Sequence, residues 1–185
     1  MGKMGPIRWQ RVQSEHRIRL LLPTGAASDK IISNLVWCHT LSPFLRLRIF
    51  LFIAIICTPP CLLVSNTTDI VAVDHGKSNV NSVIPGLTKA IAIDVHFSLG
   101  FMFWSDETER NIKRFRIDVE STSTVITNIG LCYGLAVQWR TSQLYWTDTI
   151  YDRISVSDLD GNNQVILISS ALEQPSSIAL DPDSE

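Results

Sequence analysis

The alternation of apolar and polar positions divides the chain near residue 62. Ahead of that point one apolar run stands out, Ile49-Phe50-Leu51-Phe52-Ile53-Ala54-Ile55-Ile56-Cys57; beyond it, short apolar-rich stretches recur between polar turns. From residue 134 four such stretches follow in succession: Gly134 to Trp139, Gln143 to Asp148, Arg153 to Asp158 and Gln164 to Ser169. They are rich in β-branched and aromatic residues, alternate in part, and are separated by Arg140-Thr141-Ser142 and Asp160-Gly161-Asn162-Asn163. The pattern predicts four antiparallel strands. The first is apolar on both faces, with Leu135, Val137 and Trp139 on one and Ala136 on the other. That is expected of a sheet covered on both sides.

The four-strand pattern is periodic. Phe103-Trp104-Ser105-Asp106 returns as Tyr145-Trp146-Thr147-Asp148, with the tryptophans 42 residues apart. Ile70, Ile112 and Ile154 keep the same spacing, and the Ile91, Leu135 and Ile178 segments follow at 44 and 43 residues. Three registers moving together define a repeat of four short strands per ~40 to 45 residues, the spacing of a β-propeller blade. The fold class is therefore all-β, with repeats at about 90–133 and 134–176, another beginning at 177, and three strands ahead of the first.

The residues in these repeats resemble a known family. Tyr145-Trp146-Thr147-Asp148, then Arg153-Ile154-Ser155-Val156-Ser157-Asp158-Leu159-Asp160-Gly161, then Pro175-Ser176-Ser177-Ile178-Ala179-Leu180-Asp181-Pro182, occur in the order of the class B (YWTD) repeat of low-density lipoprotein receptor relatives. The resemblance covers 62–185 and implies an incomplete YWTD propeller, about half of a six-bladed ring. Leu62 to Asn66, Val95 to Asp106 and Ile112-Lys113-Arg114 look most like the first propeller of the Wnt co-receptor branch of that family.

In an up-and-down meander, the turn after strand two and the linker from strand four to the next blade emerge at the same end. That end holds Glu107, Glu109 and Arg110, then Tyr151, Asp152 and Arg153, with linkers around Lys89, Tyr133 and Glu173. The resemblance implies that this face binds a secreted protein ligand, of the Wnt or Wnt-antagonist class; the alternatives are a matrix or basement-membrane propeller and an endocytic lipoprotein-type receptor. Two residues depart from the co-receptor pattern: Thr67 stands where Arg is usual, and Arg110 where an acidic residue is usual. Trp104, Asp106, Tyr145, Trp146, Thr147 and Asp148 are expected to be structural, the two carboxylates as hydrogen-bond acceptors.

Charge and cysteines add a topology. Up to Arg48 there are eight Lys/Arg against Glu15 and Asp29, whereas the remainder has eight basic and sixteen acidic residues. A basic stretch, a short apolar run and Thr58-Pro59-Pro60 predict a signal peptide or signal anchor at 45–61. Residues 1–44 show no sustained period and are expected to be a disordered extension or the product of a mis-chosen start codon. The body then lies in the secretory pathway, on the extracellular side of the plasma membrane in a longer protein. Membrane attachment is expected only through missing C-terminal sequence or an uncleaved leader, and no nucleic-acid partner is expected. Cys132 is the one cysteine of the body, and Asn66-Thr67-Thr68 is a glycosylation sequon at Asn66.

Enzyme signatures fail. His75-Gly76-Lys77-Ser78 lacks the earlier glycine of a phosphate loop, because Val71 stands there. Asp158-Leu159-Asp160-Gly161-Asn162 starts like a calcium loop, but Asn163 and Ser169 occupy the positions that need Gly and Glu, which predicts a hairpin turn. No catalytic residue, metal site or cofactor is expected.

Overall fold

The computed structural model describes residues 61–74 and 80–181, together with the backbone of strands at 8–11, 17–21 and 35–38. Of the expected leader at 45–61, residues 45–60 lie outside the described residues, and Cys61 is the first residue of a described strand. Among those described there are fifteen β-strands, one turn of 3-10 helix at Phe97–Leu99 and no α-helix. Chain order gives β1 (Arg8–Arg11), β2 (Arg17–Leu21), β3 (Leu35–Cys38), β4 (Cys61–Ser65), β5 (Ile70–Asp74), β6 (Val80–Ile84), β7 (Ala90–His96), β8 (Phe101–Asp106), β9 (Asn111–Arg116) and β10 (Ser121–Ile126). They are followed by β11 (Leu135–Gln138), β12 (Gln143–Asp148), β13 (Arg153–Asp158), β14 (Val165–Ile168) and β15 (Ser177–Leu180).

The chain divides into two compact units, Asn34–Thr127 and the combination of Met1–Ser33 with Asn128–Glu185. The first holds two four-stranded antiparallel meanders, β3 to β6 and β7 to β10. The three strands expected ahead of the first repeat thus gain a fourth, β3, paired with β4 from Leu35 opposite Val64 to Cys38 opposite Cys61. The second unit holds the meander β11 to β14 and a three-stranded sheet of β1, β2 and β15.

Each meander carries the same irregularity. The register slips next to Ile70 paired with Ile84, next to Ile112 paired with Ile126, and next to Ile154 paired with Ile168. A bulge there adds a residue to strand four and turns its final isoleucine inward. In β10 the four residues from Ser121 to Thr124 are exposed while Ile126 is buried. The 42-residue spacing of Ile70, Ile112 and Ile154 therefore marks the inner partner of a bulge.

Packing in the first unit draws on both of its meanders: Leu63, Ile70, Ala72 and Ile84 from one, Ala90, Ile93, Val95, Met102 and Trp104 from the other. In the second unit Ala136, Tyr145, Ile154 and Val156 pack with Ile178 of β15. Aromatic rings in strand two supply the largest buried volumes, Phe103 and Trp104 in β8 and Trp146 in β12. One expectation shifts: β11 ends at Gln138, and Trp139 lies beyond it, half exposed, with the Arg140 guanidinium 5.5 Å from its ring. Gln138 is buried and accepts only a long bond, 3.4 Å, from the Arg140 N–H.

Candidate functional site

The tetrapeptide ending each second strand builds the turn that follows it. Asp148 closes β12 and is fully buried. Its Oδ2 accepts the Gly130 N–H at 2.9 Å and the Arg153 guanidinium at 3.3 Å, and its Oδ1 accepts the Tyr151 N–H at 3.2 Å. One carboxylate thus ties the turn 149–152 to the incoming linker and to the start of β13. Thr147 Oγ1 accepts the Gly134 N–H at 2.9 Å, while its own proton lies within reach of the Gly134 and Ser176 carbonyls. Thr149 donates to the Pro175 carbonyl at 2.8 Å, and Asp152 accepts the Gln174 N–H at 2.8 Å.

These bonds explain the glycines of the linker. A Cβ on Gly130 would meet the Asp148 carboxylate, and one on Gly134 would come within 2.7 Å of the Ser176 carbonyl oxygen. With the backbone held, the side chains at the turn tip point away from it. Tyr151 is 57% exposed with the Arg153 guanidinium 4.8 Å from its ring, and Ile150 beside it is 43% exposed. The motif positions are therefore inward and the turn positions outward.

The first unit repeats the design with different side chains. Asp106 Oδ1 accepts the N–H groups of Thr108 and Glu109, each at 3.0 Å, and Oδ2 accepts the Lys89 N–H at 3.4 Å. Around that turn the polar side chains bond one another. Lys89 Nζ meets Glu107 at 2.9 Å, and Glu109 accepts from Lys113 at 2.6 Å, Asn111 at 3.0 Å and Thr88 at 3.1 Å. The Lys113 hydrogen bond, helped by that of Asn111, holds the Glu109 carboxyl below its ordinary value of 4.5. Burial raises the Tyr145 phenol above its ordinary 10.0, and its O–H donates to Gln143.

The six residues proposed for a binding face thus fall in two groups. Glu107, Glu109 and Arg110 come together in the unit Asn34–Thr127; Tyr151, Asp152 and Arg153 come together in the other. Arg110 and Asp152 hold the same place in their turns, and both have left-handed backbones, with φ of 53° and 47°. Asp tolerates that conformation better than Arg does. The sequence reading did not name two supports, Thr88 and Gln174, whose bonds to Glu109 and Asp152 tie linker to turn. No group of three or more His, Cys, Asp or Glu side chains among the described residues is placed to hold a metal ion. The Asp158 loop is a hairpin turn, its carboxylate accepting the N–H groups of Asp160 and Asn162.

Residues 142–182 match the family low-density lipoprotein receptor repeat class B. Over 128 residues, 66% of its length, the chain is 38% identical to low-density lipoprotein receptor-related protein 5 of Mus musculus and 36% identical to that of Homo sapiens. It spans 8% of the length of each of these relatives. Among solved structures it is similar to a chain of the nidogen/laminin complex, with a TM-score of 0.62 and 18% identity over 90% of this chain and 63% of that one. It is also similar to an auxiliary nutrient binding protein from Bacteroides thetaiotaomicron, with a TM-score of 0.58 and 14% identity over 83% of this chain and 35% of the other. At such identities the likeness is one of fold, that of an all-β partial propeller.

Proposed function

Because this chain belongs to the low-density lipoprotein receptor class B repeat family, we propose that it is an extracellular ligand-binding part of a receptor-related protein, one that binds a Wnt or a secreted Wnt antagonist. The observation that carries the reading is the division of labour in the repeat. A fully buried carboxylate, Asp148, clamps the turn backbone, and the same turn presents an exposed aromatic, Tyr151, beside an arginine. Rigid scaffolds with side chains displayed on short turns are a common form of protein-recognition surface, and Tyr and Arg are enriched among residues that dominate binding energy. The identity to low-density lipoprotein receptor-related protein 5 supports the choice of ligand class. No enzymatic role is proposed.

The test is surface plasmon resonance on the secreted chain, with a Wnt protein, a secreted Wnt antagonist, laminin and lipoprotein particles as separate analytes. Wnt or antagonist should be retained, and Tyr151→Ala should weaken that binding about 30-fold, the loss of roughly 2 kcal/mol expected for one central aromatic anchor. Retention of laminin alone favours a matrix propeller, and retention of lipoprotein alone favours an endocytic receptor. Folded chain that retains neither Wnt nor antagonist removes the co-receptor reading.

A further inference from the structure

The turn from β4 to β5 holds the corresponding place in its meander, and it carries the sequon Asn66-Thr67-Thr68. It follows the second strand of its meander, as the turns at 107–110 and 149–152 follow theirs. Where those turns present carboxylates or an aromatic, this one presents an amide. Asn66, Thr67 and Thr68 are all exposed. Asn66 Oδ1 accepts the Asp69 N–H at 2.8 Å, and Thr67 has a left-handed backbone at φ 79°. The amide oxygen is thus engaged inward, while Nδ2 meets no acceptor among the described residues. A substituent on Nδ2 displaces no hydrogen bond among the described residues.

The neighbourhood of the turn shows what such a substituent reaches. Thr67 and Thr68 carbonyls accept the N–H groups of Ala90 and Leu87, at 2.7 and 2.6 Å, so the turn lies against the linker 86–90. That linker supplies Thr88 and Lys89, which bond Glu109 and Glu107. All of these residues belong to the unit Asn34–Thr127. Asn66 is therefore one step along the same edge from the acidic half of the proposed binding face.

We propose that Asn66 is N-glycosylated and that its glycan shields the Lys89–Glu107–Glu109 edge, so that ligand contact on this chain falls chiefly on the Tyr151 turn. The inference rests on the reading that the chain enters the secretory pathway. The donor is a lipid-diphosphate-linked oligosaccharide: Asn66 Nδ2 forms a bond to the sugar C1, the C1–O bond to the diphosphate breaks with its electron pair leaving on the diphosphate, and the amide nitrogen gives up one proton. The modification is made on the extended chain. The folded turn then has only to tolerate it.

Translation of the full chain with microsomal vesicles separates the two claims. Protease protection reports entry into the vesicle without reference to sugar, and an endoglycosidase-sensitive mass shift, lost in Thr68→Ala and kept in Thr68→Ser, reports the glycan at Asn66. Protected chain without that shift overturns the inference alone; unprotected chain overturns it together with the secretory reading. The shield is then read on secreted protein by mass spectrometry of Lys89 acetylation with a small amine-reactive ester. Lys89, whose side chain is 45% exposed in the bare protein, should react several-fold more slowly in the glycosylated wild type and in Thr68→Ser than in Thr68→Ala. Equal rates overturn the shield.

Discussion

Replacing Asp148 by alanine removes a carboxylate that serves three donors at once, and the cost follows from what each donor loses. The Gly130 N–H is buried and has no water to turn to, so its orphaning costs about 1 to 3 kcal/mol. The Tyr151 N–H is partly buried and adds about 1 kcal/mol. The Arg153 side chain is 26% exposed and can rehydrate, so its loss adds about 0.5 kcal/mol. Together the variant should be less stable by about 3 to 4 kcal/mol. Asp148→Asn should fall between, at about 2 kcal/mol, because an amide keeps one acceptor oxygen but turns an N–H group toward a donor. The assay is urea unfolding followed by tryptophan fluorescence, since Trp104 and Trp146 are both buried and report loss of packing. With a slope of about 1 to 3 kcal/mol/M, the alanine variant should move the midpoint down by roughly 2 M. A loss below about 1 kcal/mol for alanine, or an asparagine variant indistinguishable from wild type, refutes the assignment of Asp148 as the organiser of its turn.

Further predictions concern other parts of the same design. Gly134→Ala places a Cβ within 3.0 Å of backbone at Ser176, Ser177 and Ile178, atoms that cannot swing aside, and should cost about 2 kcal/mol in the same urea assay; an unchanged midpoint would show that β11 and β15 separate freely. Arg110→Asn relieves a left-handed backbone at φ 53° and should stabilise the chain by about 0.5 to 1 kcal/mol, read as a rise in thermal midpoint, with a fall counting against it. Glu109 is held below its ordinary 4.5, so its bonds to Lys113 and Asn111 contribute in full above that value and are lost as pH falls through the lower folded value. Its side chain is 41% exposed, which limits the effect to a few tenths of a kcal/mol, and an NMR titration placing Glu109 at or above 4.5 would contradict the hydrogen-bonded cluster.

The blade was legible because its information is local and repeated. The register at Ile70, Ile112 and Ile154, the paired motifs around Trp104 and Trp146, and the turns between them each occupy a few residues, and their recurrence announces four strands per repeat. Asp106 and Asp148 hold the same place in that repeat, and each is buried and accepts N–H groups of its own turn and of the incoming linker.

What the sequence did not disclose depends on approaches between segments far apart in the chain. β3 supplies only four residues to its sheet, too few for a period to emerge, and it becomes a strand through pairing with β4. The bulge that turns Ile84, Ile126 and Ile168 inward exists only when strands three and four lie side by side. Trp139 reads as one more alternating apolar residue, yet the pairing of β11 with β12 stops at Gln138 and leaves its ring half exposed. The turns of the proposed binding face show the same limit. Sequence named Glu107, Glu109, Arg110, Tyr151, Asp152 and Arg153 from their place between strands, but the bonding of Glu107 and Glu109 to Lys89 and Thr88, against the outward Tyr151, was settled by linkers about 20 residues away. Local spacing determined which residues form the repeat, and the hydrogen bonds between linker and turn decided which of their side chains are held against the scaffold and which, like Tyr151, stay exposed.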